Sequence, residues 1–196
     1  MKNVVFDIGK VLISWEPVLD SVFDEETARI VEQAIFGSEL WYELDRGVEE
    51  DEAIFNKMIE KAPDYREQIM YALWHIDIVA SQQDYTKRWI EELKKKGHKV
   101  YFLSNYSRHL RATQPQLTDF TPLTDGGIFS SDVKMVKPDH EIYELLFERY
   151  DLVPEECLFI DDRQDNVDAA IECGMHAIRF DGYDRSYDKI MSALED

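Results

Sequence analysis

VVFDIGKVLISW (4–15) sets the reading of the whole chain. Val4, Val5 and Phe6 form a continuous apolar run, and Asp7 ends it. Short unbroken runs of this kind suit strands buried on both faces of a parallel sheet. A carboxylate at the end of such a strand is costly unless it is paired or bound to a metal. The same shape recurs at VYFL (100–103), followed by Ser104 and Asn105, and at CLFI (157–160), followed by Asp161 and Asp162. HAIRF (176–180) is a further run. Helical patterns lie between them at 86–97, 140–150 and 164–174, with Gly97 and Gly174 as stop signals. Strand and helix in alternation predict an α/β fold built on a doubly wound parallel sheet. In such sheets ligands bind beyond the carboxyl ends of the strands.

One stretch breaks the alternation. From about Glu16 to Gln83 the pattern is helical, with amphipathic segments at 21–36, 50–61 and 64–75 and no confident strand. This predicts a helical cap over 16–83, inserted after the first strand and covering Asp7. Residues 1–15 and 84–196 then form the core domain.

The 196 residues carry 41 acidic against 22 basic side chains, a formal net charge of −19. Such a surface repels nucleic acid and anionic membrane, and neither is expected as a partner. A phosphorylated ligand then needs local positive charge, for which a divalent cation is the obvious source. Cys157 and Cys173 form no CxxC pair and read as reduced thiols. The N-terminal apolar run is too short for a signal peptide, and no stretch approaches a membrane span. A cytoplasmic protein is the expectation.

Four places carry chemistry. Asp161 and Asp162 repel one another unless a cation sits beside them. A single helix cap needs one acid, not two. With Asp7 they make an oxygen-rich site suited to Mg²⁺. Asp7 is placed to attack phosphorus as a carboxylate nucleophile. Lys137, in KMVKPD (134–139), offers a fixed positive charge to that nucleophile and to the transferring phosphoryl group. Ser104 and Asn105 offer a hydroxyl and an amide to phosphate oxygens. Taken alone, Ser-Asn after a strand serves equally well as a cap.

The order FDIGKVL, FLSN, KMVKP, FIDDRQDN resembles the four motifs of the haloacid dehalogenase superfamily. The motifs, with LDRGVEEDEAI (44–54), look closest to a group that includes α-D-glucose-1-phosphate phosphatase. The resemblance implies that Asp7 is nucleophile and metal ligand, and that the Gly9 carbonyl also ligates Mg²⁺. It implies that Ser104 and Asn105 bind phosphate and that Lys137 is the clamp. It makes Asp162 the direct and Asp161 the water-mediated ligand, a distinction one sequence leaves open. Asp165 and Asn166 then orient the metal's shell. The superfamily's phosphatases mostly carry a second aspartate two residues after the nucleophile, as general acid and base. Here that residue is Gly9, which can do neither, and acid–base help of this kind is worth about 10²–10⁴ in rate.

The expected function is Mg²⁺-dependent hydrolysis of a small phosphorylated metabolite, such as a hexose 1-phosphate, through an aspartyl-phosphate. An anomeric hydroxyl is more acidic than an ordinary alcohol and leaves more readily without a proton donor. In WYELDRG (41–47), Asp45 and Arg46 are placed to hydrogen-bond sugar hydroxyls, while Trp41 and Tyr42 read as cap core beside a turn. His75 and His109 read as structural. A metal-independent dehalogenase is disfavoured by the paired acids, and a mutase by Gly9. A binding protein on a disabled scaffold is disfavoured by the intact Asp7, Lys137 and acid pair. Oligomeric state is left open.

Overall fold

The computed structural model describes residues 1–195. β1 (Asn3–Phe6) is followed by β2 (Ile13–Trp15), which leads to four cap helices. These are α1 (Glu25–Ile35), α2 (Glu39–Arg46), α3 (Asp51–Lys61) and α4 (Arg66–Trp74). β3 (Ala80–Gln82) returns the chain antiparallel to β2, so a two-stranded ribbon joins the helical segment to the rest. α5 (Thr86–Lys95), β4 (Lys99–Ser104), α6 (Arg108–Thr113), β5 (Gly126–Phe129) and α7 (Ser130–Val133) follow. The chain continues through α8 (His140–Tyr150), β6 (Cys157–Asp161), α9 (Gln164–Glu172), β7 (His176–Arg179) and α10 (Tyr183–Glu195).

β5, β4, β1, β6 and β7 form a parallel sheet in that order. β1 is central because it is buried throughout and pairs on both sides. Alternate side chains reach opposite faces. Val4 and Phe6 enter one core with Trp89 of α5, whose ring lies 4.6 Å from that of Phe6. Val5 enters the other core with Tyr143 and Leu146 of α8. The unbroken apolar runs follow from this two-sided burial.

The register places the chemistry. Phe6 pairs with Phe102 on one side and Ile160 on the other. Asp7 follows the last residue of β1, while Ser104 and Asp161 are the last residues of β4 and β6, so all three lie at the same end of the sheet. The Asp7 backbone N–H donates to Ile160 O at 2.8 Å, which sets Asp7 level with Asp161. β1 is also where strand order runs outward in both directions, the place where a crevice opens at the end of such a sheet.

Two expectations are corrected within the insert. β3 lies inside the stretch read as free of strands, since three residues show no period of their own. The segment read as a turn at 41–47 is helix α2, which ends at Gly47. Gly47 adopts a left-handed φ of 67°, and a Cβ there would meet Ser131 at 2.8 Å. Only glycine combines that conformation with so close an approach. β5 was also not foreseen, because GGIF is short and half glycine.

Candidate active site

Asp7, Lys137, Asp161 and Asp162 meet at the carboxyl end of the sheet. One oxygen from each of the three carboxylates lies within 4.8 Å of the others. Lys137 sits among them with 2% of its surface exposed. Its Nζ lies 2.9 Å from Asp7 Oδ1 and donates to Asp161 Oδ2 at 2.6 Å. Burial works against the ammonium, but Asp161 and Asp7 outweigh it and raise Lys137 above the ordinary lysine value. The lysine is therefore a permanent cation, as a buried ion pair requires.

Asp161 is fully buried and satisfied on all sides. Its Oδ1 accepts from the Arg163 N–H at 2.8 Å and from Asn166 Nδ2 at 3.1 Å, and its Oδ2 also accepts from Asn166 Nδ2 at 3.0 Å. Asp162 is half-buried and faces the crevice. Burial and the neighbouring Asp161 charge raise its pKa. Asp7 Oδ1 accepts from the Ile8 N–H at 2.7 Å, whereas no protein donor reaches Oδ2 among the described residues. Burial pushes the Asp7 pKa up to about 7, Lys137 pulling it down and the Asp161 charge adding to the rise.

Three carboxylates against one ammonium leave negative charge uncompensated in a buried place. The donor set is all hard oxygen, and a divalent cation fits both the charge and the chemistry. The cluster can therefore hold a metal ion.

The structure assigns the remaining expected residues different surroundings. Ser104 and Gly9 line the crevice. Asn105 also borders it, but both ends of its amide are used on Lys137. Its Oδ1 accepts from the Lys137 N–H at 2.8 Å, and its Nδ2 donates to the Lys137 carbonyl at 2.9 Å. Its side chain thus holds the clamp, which leaves its backbone for any ligand. Asn166 grips Asp161, whereas Asp165 turns outward to Arg163. Arg46 does not line the crevice: it lies 3.5 Å from Asp139 and over the Tyr42 ring. Asp45 does enter the crevice from α2.

The crevice holds about 530 Å³. Its outer wall is aromatic. Trp15, Phe36 and Trp41 form a cluster with ring centroids 5.0–5.8 Å apart, and all three border the space. Trp41 and Tyr42 thus face the cavity as well as packing within the cap. Trp15 and Phe36 had no signal in the sequence, since they come from the ribbon and the end of α1. Lys10 and Arg163 at the mouth were missed as well. His109 is structural: its Nε2 lies 2.8 Å from the Leu73 carbonyl. No described helix is long and apolar enough to cross a membrane.

A strand-end carboxylate site on a doubly wound sheet, overhung by a helical insert, defines an α/β protein whose ligand site lies at the carboxyl end of its sheet. The family model for haloacid dehalogenase-like hydrolases matches residues 1–174, and the chain belongs to that family. It is similar to a sesquiterpene phosphatase of Aspergillus oryzae, 27% identical over 89% of this chain and 87% of the relative. A phosphorylated carbohydrates phosphatase of Thermotoga maritima is 25% identical, over 91% of this chain and 84% of that one. Among solved structures, a haloacid-dehalogenase-family enzyme of Bacteroides thetaiotaomicron in complex with magnesium and inorganic phosphate superposes with a TM-score of 0.68. That match is at 21% identity and covers 91% of this chain and 93% of the other.

Proposed function

We propose that the enzyme hydrolyses small phosphomonoesters, with Mg²⁺ as cofactor and an aspartyl-phosphate on Asp7 as intermediate. The observation that carries this reading is the convergence of Asp7, Asp161 and Asp162 around the buried Lys137. Asp7 Oδ2, free of protein donors, attacks phosphorus while Lys137 holds Oδ1 and faces the charge that develops on the phosphoryl oxygens. Ser104 and the backbone of Asn105 bind those oxygens. Asp7, Asp162 and the Gly9 carbonyl would hold Mg²⁺, with Asp161 behind them, and the ion supplies further charge neutralisation at the phosphoryl group. Asn166 fixes Asp161 and so steadies the cluster. Water then releases phosphate from Asp7.

The substrate is a monoester small enough for the crevice, and a hexose 1-phosphate fits its size and the missing acid at Gly9. Indole faces stack on the C–H face of a sugar as well as on an apolar chain. The Trp15–Phe36–Trp41 wall specifically favours a second reading, an ester of an apolar alcohol. The phosphatase relatives named for sesquiterpene and for carbohydrate esters divide along the same line.

The test is a phosphate-release screen with and without Mg²⁺, with Asp7→Asn as control. The panel holds hexose 1- and 6-phosphates, nucleotides, an isoprenyl monophosphate and p-nitrophenyl phosphate. Metal-dependent release that vanishes in the variant is the expected result. No turnover of any ester overturns the reading in favour of a binding protein, and metal-free halide release from a haloacid overturns it in favour of a dehalogenase.

A further inference from the structure

Hydrolysis by way of Asp7 leaves two protons to be handled, and no group at position 9 can carry them. The leaving alkoxide needs one, and the attacking water must lose one. The only other carboxylate that borders the crevice among the described residues is Asp45, from the last turn of α2.

Asp45 is 7% exposed, and its position is fixed from the core side. Its carbonyl accepts from Ser130 Oγ at 2.6 Å, and the same Oγ accepts from the Tyr106 N–H at 2.8 Å. One buried hydroxyl thereby joins the cap helix, the loop after β4 and the start of α7. Gly47, pressed against Ser131, ends α2 at that point. The carboxylate is held where the cap meets the floor, and no cation pairs with it among the described residues. The nearby arginines are engaged elsewhere, Arg46 with Asp139 and Arg108 with Asp51. Beside it the Tyr106 hydroxyl is buried and has no hydrogen-bond partner.

A buried acid that borders the crevice with no cation paired to it is available for proton transfer there. We infer that Asp45 is the general acid and base of this enzyme, replacing from the cap the residue that Gly9 cannot supply. The inference rests on the phosphohydrolase reading. As the bond from Asp7 to phosphorus forms and the ester P–O bond breaks, the Asp45 carboxyl gives its proton to the leaving oxygen. Water next attacks phosphorus and passes a proton to the Asp45 carboxylate. The Asp7–phosphorus bond breaks, inorganic phosphate departs and both carboxyls return to their starting states. The surroundings agree: burial, then the Asp7 charge, pushes the Asp45 pKa up to about 8, with the Ser107 amide and Lys137 pulling the other way. With this donor present, the need for an activated leaving group falls away, and esters of ordinary alcohols become substrates too.

The experiment compares wild type and Asp45→Asn with Mg²⁺ on phenyl phosphate and p-nitrophenyl phosphate, whose leaving groups differ in their need for a proton. The expected result is a fall in kcat/KM of about 10²–10⁴ for phenyl phosphate. For p-nitrophenyl phosphate kcat/KM stays within about threefold while kcat falls, with a burst of p-nitrophenol matching the enzyme concentration, as expected when only release of the phosphoenzyme is slowed. A Cβ at Gly9 meets nothing within 4 Å, so Gly9→Asp meets no clash at its first side-chain atom. Added to Asp45→Asn, it restores part of the phenyl phosphate rate. Equal losses on both esters, or none, overturn the inference and leave the hydrolase reading standing. A wild-type chain inert on both esters and on the wider panel overturns the two together. Should Asp45→Asn fold poorly, Asp45→Ser is read by the same leaving-group comparison.

Discussion

The floor and the wall of the crevice are built by different means. The floor is set by the sheet. Backbone pairing of β1 with β4 and β6 puts Asp7 and Asp161 side by side whatever the side chains prefer. Its charges are tied to one another through Lys137, Asn105 and Asn166. The wall is set by packing. Trp15, Phe36 and Trp41 come from three separate elements and meet only because the ribbon and α1 and α2 fold together. Its one carboxylate, Asp45, stands unpaired. A floor held by register can keep the same phosphoryl chemistry while the wall changes, so on the readings proposed above attack on phosphorus belongs to the floor, and substrate choice and proton transfer to the wall.

Asp7→Asn breaks the comparison at its strongest point. Turnover should fall at least about 10⁴-fold on every ester, because the nucleophile proposed above would serve all of them, with the fold intact by circular dichroism. Lys137→Met comes next. It strands Asp7 and Asp161 as buried, unpaired acids, a loss of about 3–5 kcal/mol, and thermal unfolding should occur roughly 10 °C lower. Unchanged unfolding would mean that the floor is not held by its ion pairs.

Trp41→Ala sharpens the contrast, because it touches the wall alone. KM for the best substrate should rise by roughly tenfold, the worth of an aromatic contact, while kcat stays within a few-fold. Inhibition by inorganic phosphate, which needs only the floor, should not move. The last test concerns stability across pH. The Asp45 carboxyl has an ordinary pKa of 3.8 when unfolded and about 8 when folded. The folded protein then holds the proton more tightly, so this group's stabilising contribution is complete below about pH 4 and is lost as pH rises towards 8. Asp45→Asn removes that dependence. In metal-free protein its melting temperature should match wild type at pH 4 and exceed it by roughly 10 °C or more at pH 8, measured by calorimetry. A gap that does not widen with pH would contradict the buried, unpaired acid.

Much of the floor was legible in the sequence. β1, β4 and β6 announce themselves as apolar runs because they are buried on both faces, and Asp7, Asp161 and Asp162 stand out because acids seldom end such runs. The wall was not legible. A three-residue strand such as β3 has no period to detect, and α2 is a two-turn helix whose closing glycine reads equally as a turn. Asn105 shows the limit within the floor itself. Its position after β4 was readable, but its use as a brace for Lys137 depends on a residue 32 positions away.

By itself the sequence determined the parallel sheet, the helical insert and the acids at the strand ends. These follow from local burial patterns, which are written into consecutive residues. Only the tertiary structure decided that Arg46 turns to Asp139, that three aromatic rings make one wall and that Asp45 stands alone in the crevice. Those outcomes depend on side chains from distant segments competing for the same space and the same partners, and no single segment carries that competition.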